Sequence, residues 1–416
     1  MYNLEGLILM TSIILYFQAH QPWRLKRHFE IKTKGDWIER FFNTGLDKWV
    51  FDRAAWKCYS PTNRILLENI DNYKSENKKF QVCFSLSGVF LEQAERYSPD
   101  TFETFKQLAE TGCVEFLDET YYHSLCSLWE DSSEFIEQIK KHRDYIKWAF
   151  GIEPKIFRNT ELLYNNKIAK IVEGLGYKGI LCEGIEKVLS NRSPNHIYKA
   201  KDSNLPVILR NYKLSDDVGY RFSDKNWDGY PLTAQKYAAW LAATEGEVIP
   251  LFLDYETFGE HHWPETGIFD FLNWFPRETL KYDHLEFLTL TEAVEKYQPV
   301  GEVDVFEIGG TVSWADMERD ETAWLGNDMQ KTSMELLKTL EKSVKKLEDP
   351  KLLRIWRLLQ ISDHFYWMST KGWGIGHIPD GDVHSYFSPY DSPWEACENY
   401  LNVLNTLAEE VLKRTG

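Results

Sequence analysis

The sequence predicts an α/β barrel followed by a C-terminal α-helical bundle, on three observations. Through about residue 300, short β-rich apolar runs alternate with helical segments, the order expected of βα units around a parallel sheet. Seven or eight such units favour a closed or nearly closed barrel over a flat sheet. After about residue 310 the pattern changes to long stretches of helical spacing with few breakers. The expected division is a barrel over 1–305 and a helical part over 306–416.

The first core strand is read at 13–17. The apolar stretch 7–17 carries Thr11 and Ser12, follows Glu5 and lacks a basic start or a small-residue cleavage pattern, so it is not read as a signal peptide. Further strands are read at 80–86, 114–117, 155–157, 179–181, 207–209, 248–253 and 286–289. Helices are expected over 133–150, 166–175, 233–244 and 268–281. The first of these opens at Asp131-Ser132-Ser133-Glu134 and is stopped by Gly151 and Pro154. In the C-terminal part 321–347, 350–369 and 392–414 read as helices, with Pro393 in the first turn of the last. Between them 371–390, rich in Gly, Pro, Trp, Tyr and His, reads as an exposed loop.

A chain of 416 residues buries a large core. Its 64 acids against 48 bases give a formal charge of −16, which argues against nucleic acid and anionic membrane surfaces as partners and suits an uncharged one. Trp, Tyr and Phe together make 15% of the chain; most must serve the core, and the rest are available to stack on ligand faces. Cysteines at 58, 83, 113, 126, 182 and 397 show no C-x-x-C or metal-ligand spacing, and a reduced, cytoplasmic protein is the simplest account. No apolar run is long enough to span a bilayer. Oligomeric state is not legible.

The chemistry gathers at strand ends, which face substrate in α/β barrels. Leu251 to Trp263 reads Leu-Phe-Leu-Asp-Tyr-Glu-Thr-Phe-Gly-Glu-His-His-Trp: Asp254 ends a strand, and Glu256 would point the same way if strand geometry continued. Tyr255, Phe258 and Trp263 surround these acids; the bland alternative is a solvated acidic loop. His20-Gln21-Pro22 follows the first strand, where Pro stiffens a turn that offers donors. The 114–117 strand is preceded by Gly112-Cys113 and ends among Asp118, Glu119, Tyr122 and His123. After the fourth strand, Glu161 has Arg158 three residues before it; a cation there favours the ionised carboxylate a nucleophile needs, although structural Arg–Glu pairs are common. Trp314, Trp324 with Asn327 and Asp328, and Ser362-Asp363-His364 lie in or near C-terminal helices, where a Trp-rich face serves equally well as core.

In that order and spacing, these motifs resemble glycoside hydrolase family 57, and in detail its α-amylase branch. The resemblance covers essentially the whole chain, with Asp-x-Glu-x-Phe-Gly at 254–259 the most specific motif. It implies an incomplete (β/α)7 TIM-like barrel, catalytic over 1–305, with the helical domain 306–416 completing a substrate cleft. It implies retaining hydrolysis of α-1,4-glucosidic bonds in starch- or glycogen-type glucans, with Glu161 as nucleophile and Asp254 as general acid/base. His20, Glu115, His123, Arg158, Glu256, Trp263, Trp324 and Asp363 are the expected substrate-binding residues. Such chemistry needs two carboxyl groups about 5–5.5 Å apart and no metal or cofactor. One departure is Phe-Arg-Asn-Thr-Glu at 157–161, where the family's glucanotransferases carry a Trp-x-x-Glu style of motif; it shifts the reading toward hydrolysis.

Three alternatives stand beside this one. A 4-α-glucanotransferase would share the glycosyl-enzyme and differ in acceptor. A metal-dependent deacetylase or mannosidase could draw ligands from His20, Asp118, His123, Asp254, His261 and His262, although no His-x-x-x-His pair supports it. A non-catalytic glucan-binding protein would have little use for both carboxylates.

Overall fold

The computed structural model describes residues 10–28, 36–74, 79–306, 309–371 and 388–415. Among them ten strands occur: β1 (Thr11–Ala19), β2 (Val82–Leu86), β3 (Val114–Phe116), β4 (Ile156–Phe157), β5 (Gly179–Glu183), β6 (Ile197–Ala200), β7 (Pro206–Arg210), β8 (Val248–Asp254), β9 (Leu285–Phe287) and β10 (Glu302–Val303). The strands β8-β1-β2-β3 and β4-β5-β7 run parallel in two sheets. The sheets meet at two thin seams. One is a single parallel bridge between Asp118 and Phe157; the other is the Asn211 amide donating to the Pro250 carbonyl at 2.9 Å. Seven parallel strands thus close a (β/α)7 barrel.

The closure is incomplete for a local reason. β6 pairs antiparallel with the first half of β7, and β10 extends it; β9 pairs with the first three residues of β1 while β2 pairs with its last four. Short outlying strands therefore satisfy the N-terminal halves of edges that the barrel strands reach only at their C-terminal ends.

Alternation along each strand separates inside from outside. Ile14, Tyr16, Cys83, Leu117, Ile156, Leu181, Ile208 and Phe252 fill the barrel interior as one cluster. Their neighbours Ile13, Leu15, Phe17, Phe84, Phe116 and Leu251 face helices in a second core. On the other side Phe157, Ile180, Leu209 and Tyr164 share a core with Trp324, Trp356, Phe365 and Tyr400 of the C-terminal helices. The helical part is therefore fused to the barrel through common apolar packing.

The helix expected over 133–150 is Ser133–Phe150, ended by Gly151 at φ 68°, where a residue without Cβ is favoured. The single helix expected over 321–347 is instead three: Thr322–Leu325, Asp328–Thr339 and Glu341–Lys346. Asn327 breaks it, because its side chain caps the Gln330 amide and Gln330 returns the bond in a capping box. The helix expected over 350–369 likewise divides into Pro350–Leu358 and Ser362–Tyr366. Helices over Thr44–Ala54, Ser60–Tyr73, Gly88–Tyr97 and Pro99–Glu110, and the strands β6 and β10, were not expected. Most of the loop read at 371–390 lies outside the described residues. All six cysteines are buried and unpaired, and among the described residues no helix is long and apolar enough to cross a membrane.

Candidate active site

The C-terminal ends of the barrel strands converge on one cavity of about 280 Å³. Its wall includes Gln18 near the end of β1 and His20 just after it, His123 after β3, Glu161 after β4, Asp254 at the end of β8, and Glu256 and His261 beyond it. Trp314, Asp363, Tyr366 and Trp367 close it from the C-terminal side. Gln18 and Asp254 are register partners across β1 and β8, so the pairing of these strands fixes where Asp254 enters the cavity.

Glu161 is held from both sides. His123 Nε2 lies 3.3 Å from Oε1, Ser362 Oγ donates to the same oxygen at 3.1 Å, and Trp314 Nε1 donates to Oε2 at 2.9 Å. Its backbone is left-handed, φ 56° and ψ 25°, and Leu162 follows at φ 53°. Two successive non-glycine residues in this region cost about 1–3 kcal/mol each and persist only where surroundings enforce them. The enforcement is visible: Tyr164 and Val312 exchange backbone bonds at 2.9 and 3.0 Å, and the Trp314 amide donates to the Glu161 carbonyl.

Behind Glu161 a charged relay is buried. Glu119 accepts from His123 Nδ1 at 2.8 Å, Ser85 Oγ at 2.9 Å and Gln18 Nε2 at 3.2 Å. Burial disfavours the Glu119 charge, but His123 and Arg158 outweigh it and hold the carboxyl down at about 2. Burial would likewise lower His123; its bonds to Glu119 and Glu161 instead raise it to about 9, so it is an imidazolium donating from both nitrogens. His20 stacks on it with centroids 4.0 Å apart. Burial and that neighbouring cation lower His20, which stays neutral, donating from Nε2 to Asp363 at 3.0 Å and accepting from Ser87 Oγ at 2.7 Å.

The two cavity carboxyls are driven apart in proton affinity. Burial also opposes charge on Glu161, yet His123, Arg158 and the Trp314 indole hold its carboxyl below the usual range. Burial and the Glu161 charge push Asp254 up to about 6, against the pull of Arg158 and Arg210. Burial and Asp254 raise Glu256 to about 8, against the hydrogen bond Tyr59 gives it. Among the described residues none hydrogen-bonds to the Asp254 carboxyl, whereas three donors hold that of Glu161. A carboxyl held below the usual range and one raised to about 6 thus face one cavity, two environments that push their proton affinities apart.

The sequence profile of Glycosyl hydrolase family 57 matches residues 14–306. The chain belongs to that family. A Methanocaldococcus jannaschii protein named "Putative alpha-amylase" is 49% identical over 401 residues, covering 94% of this chain and 83% of that one. The solved 4-α-glucanotransferase of Thermococcus litoralis superposes with TM-score 0.65 at 17% identity, over 86% of this chain and 56% of its own. A family 57 branching enzyme from Thermococcus kodakaraensis gives 0.65 at 15%, over 97% of this chain and 91% of its own. At these identities the two structures share the fold with this family 57 glycoside hydrolase.

Not every residue expected at the cleft of the family 57 chain lines it. Glu115 lies deeper, two positions before the inward-facing Leu117, where it accepts from the Thr291 amide at 2.9 Å and from its hydroxyl; it is spent on the first turn of the Leu290–Lys296 helix. Trp324 is 1% exposed and packs in the shared core, its ring 6.1 Å from that of Tyr366, one layer behind the cavity wall. Trp263 stands outside the cavity with Lys57 Nζ 4.7 Å from its ring centroid. Arg158 is wholly buried and stacks 4.9 Å over Trp314. Of the residues weighed as metal ligands, Asp118 is bonded to His142 and Arg143, and His262 to Ser223 and the Gly219 carbonyl. Among the described residues no group of three or more His, Cys, Asp or Glu is arranged to hold a metal ion.

Arg158 carries a prediction. Among the described residues its three guanidinium nitrogens have no hydrogen-bond partner, and the nearest ion-pair oxygen, on Glu119, is 3.8 Å away. Its charge therefore acts through the field alone, lowering both Glu161 and Asp254. If activity needs Glu161 ionised and Asp254 protonated, kcat/KM is expected to fall as pH rises through about 6 and again in acid, below the usual glutamate value, as Glu161 gains its proton. Arg158→Met, which keeps the buried volume, moves both limbs of the pH profile to higher pH. Limbs that stay in place or move down contradict this.

Proposed function

We propose that this enzyme hydrolyses α-1,4-glucosidic bonds in starch- or glycogen-type glucans and maltooligosaccharides, retaining the anomeric configuration. Glu161 attacks the anomeric carbon, forming a covalent ester as the glycosidic C–O bond breaks, and Asp254 gives its proton to the departing oxygen. Water then attacks the anomeric carbon; its bond to the Glu161 oxygen breaks, Asp254 takes a proton from the water, and Glu161 leaves as the carboxylate. The charge on Glu161 is among the causes that raise Asp254. Esterification removes that charge, so Asp254 becomes more acidic when it must act as base, and recovers when the ester is cleaved. From the cavity wall Glu256 and Asp363 would meet sugar hydroxyls, and Trp314 and Trp367 would lie against ring faces, while His20 and His123, whose ring nitrogens are already engaged, would hold Asp363 and Glu161 in place.

The observation that carries this reading is the contrast between Glu161, held low by three donors, and Asp254, raised to about 6, across one cavity. The experiment follows hydrolysis of maltohexaose by proton NMR. The newly released reducing end appears first as the α anomer and reaches the mixture by mutarotation. First appearance as the β anomer overturns retention. Products longer than the substrate mark transfer to sugar as the main reaction.

A further inference from the structure

The helix Thr44–Ala54 and the π-helical turn Ala55–Tyr59 have two faces with different surroundings. Inward, Tyr59 donates to Glu256 of the cavity wall, and Gln21 donates to Tyr59 at 3.0 Å. Outward, Trp49 is 57% exposed and Trp56 77%. Residues 49, 53, 56 and 57 fall on one side of the helix by spacing, and seven residues advance about 10 Å along it.

This outward face is tied to the segment that follows the cavity acids. Arg53 pairs with Glu260 at 2.5 Å and lies 5.8 Å over Trp49. Lys57 lies over Trp263, itself 57% exposed and two residues beyond His261 of the cavity wall. Gly259 sits so close to the Lys57 carbonyl that a Cβ would meet it at 2.1 Å, at a φ of 106° that favours glycine. A cation thus lies over each of two indoles, Arg53 over Trp49 and Lys57 over Trp263, and both rings remain more than half exposed. Exposed apolar patches rimmed by polar residues mark interaction surfaces. The helical segment runs back from Tyr59, bonded to Glu256 of the cavity wall, through Trp56 to Trp49, so these two indoles lie progressively farther along it from that contact.

We propose that Trp263, Trp56 and Trp49 form a second glucan-binding surface, on which the part of a long chain outside the cleft lies with its sugar faces against the indoles. The proposal rests on the glucan reading of the cavity and goes beyond it. Pyranose rings present apolar faces and carry no charge, matching indoles whose neighbouring cation Arg53 is already paired. A chain held at both places gains by effective concentration, whereas a trisaccharide in the cleft cannot reach the helix.

The test compares wild type with the Trp49→Ala, Trp56→Ala double variant, both positions being too exposed for truncation to open the core. The ratio of KM for long-chain amylose to KM for maltotriose is expected to rise about tenfold. Migration through an amylose-containing gel, measured in a Glu161→Gln background, is expected to be retarded less in the double variant than in the parent. A ratio and a retardation that both stay unchanged overturn the proposal. So does a wild type whose self-association, seen by size-exclusion chromatography, is lost in the double variant, since the patch would then be a protein interface. The gel arm needs no turnover, so an enzyme inactive on maltooligosaccharides would count against the glucosidase reading and leave the surface to be judged on binding alone.

Discussion

Glu161→Gln is expected to lower kcat on maltooligosaccharides by at least about 10⁴-fold while the protein stays folded. The amide keeps the size of the side chain and loses its nucleophilicity. It also places an NH₂ among groups that all donate, the Trp314 indole, the Ser362 hydroxyl and the His123 imidazolium, so the side chain cannot satisfy its surroundings as the carboxylate does. Glu161→Ala opens that space instead. Azide should restore part of its turnover, giving a glycosyl azide of inverted configuration, because the anion enters from the side the carboxylate occupied. A second consequence is electrostatic: without the Glu161 charge one cause of the raised Asp254 value disappears, and a carboxyl-carbon NMR titration should show Asp254 losing its proton at lower pH. Substantial turnover in Glu161→Ala without azide would exclude this residue as nucleophile.

Asp254→Asn is expected to lower glucan hydrolysis by about 10²–10⁴-fold, the usual worth of a positioned acid/base. The loss should depend on the leaving group. An α-maltosyl fluoride departs as fluoride and needs no proton, so formation of the glycosyl-enzyme should survive while its hydrolysis, which lacks a base, slows. The intermediate then accumulates. The same replacement leaves Glu161 with all three donors, which separates loss of proton transfer from loss of the nucleophile's setting.

The sequence made some of this plain and hid the rest for identifiable reasons. β1 and β8 are long, strongly apolar and end in reactive residues, so both the barrel and Asp254 could be read from it. Glu161 could be read because Arg158 precedes it in the same short segment, although the stronger supports, Trp314 and Ser362, lie more than 150 residues away and reach it only in the folded chain. Glu119 was grouped with Asp118 at a strand end, and nothing in the sequence separates them. In the fold Glu119 faces the cavity side and fixes His123, while Asp118 faces His142 and Arg143. Glu115 was expected at the cleft only through the family resemblance; depth along the barrel axis, which periodicity does not give, sets it apart. Trp324 had the spacing of a core residue as much as of a cleft residue, and burial decided for the core. β6 and β10 are short and carry charged residues such as Lys199 and Glu302, so they gave no apolar signal. The long C-terminal helices were overextended because Asn327 was not read as a cap in mid-run.

The most direct measurement is mass spectrometry of peptides from Asp254→Asn trapped during turnover of α-maltosyl fluoride. The account predicts a maltosyl adduct on the peptide that contains Glu161, with fragment ions placing it on that side chain. An adduct on any other carboxylate, or fluoride released steadily with no covalent species at all, would contradict it.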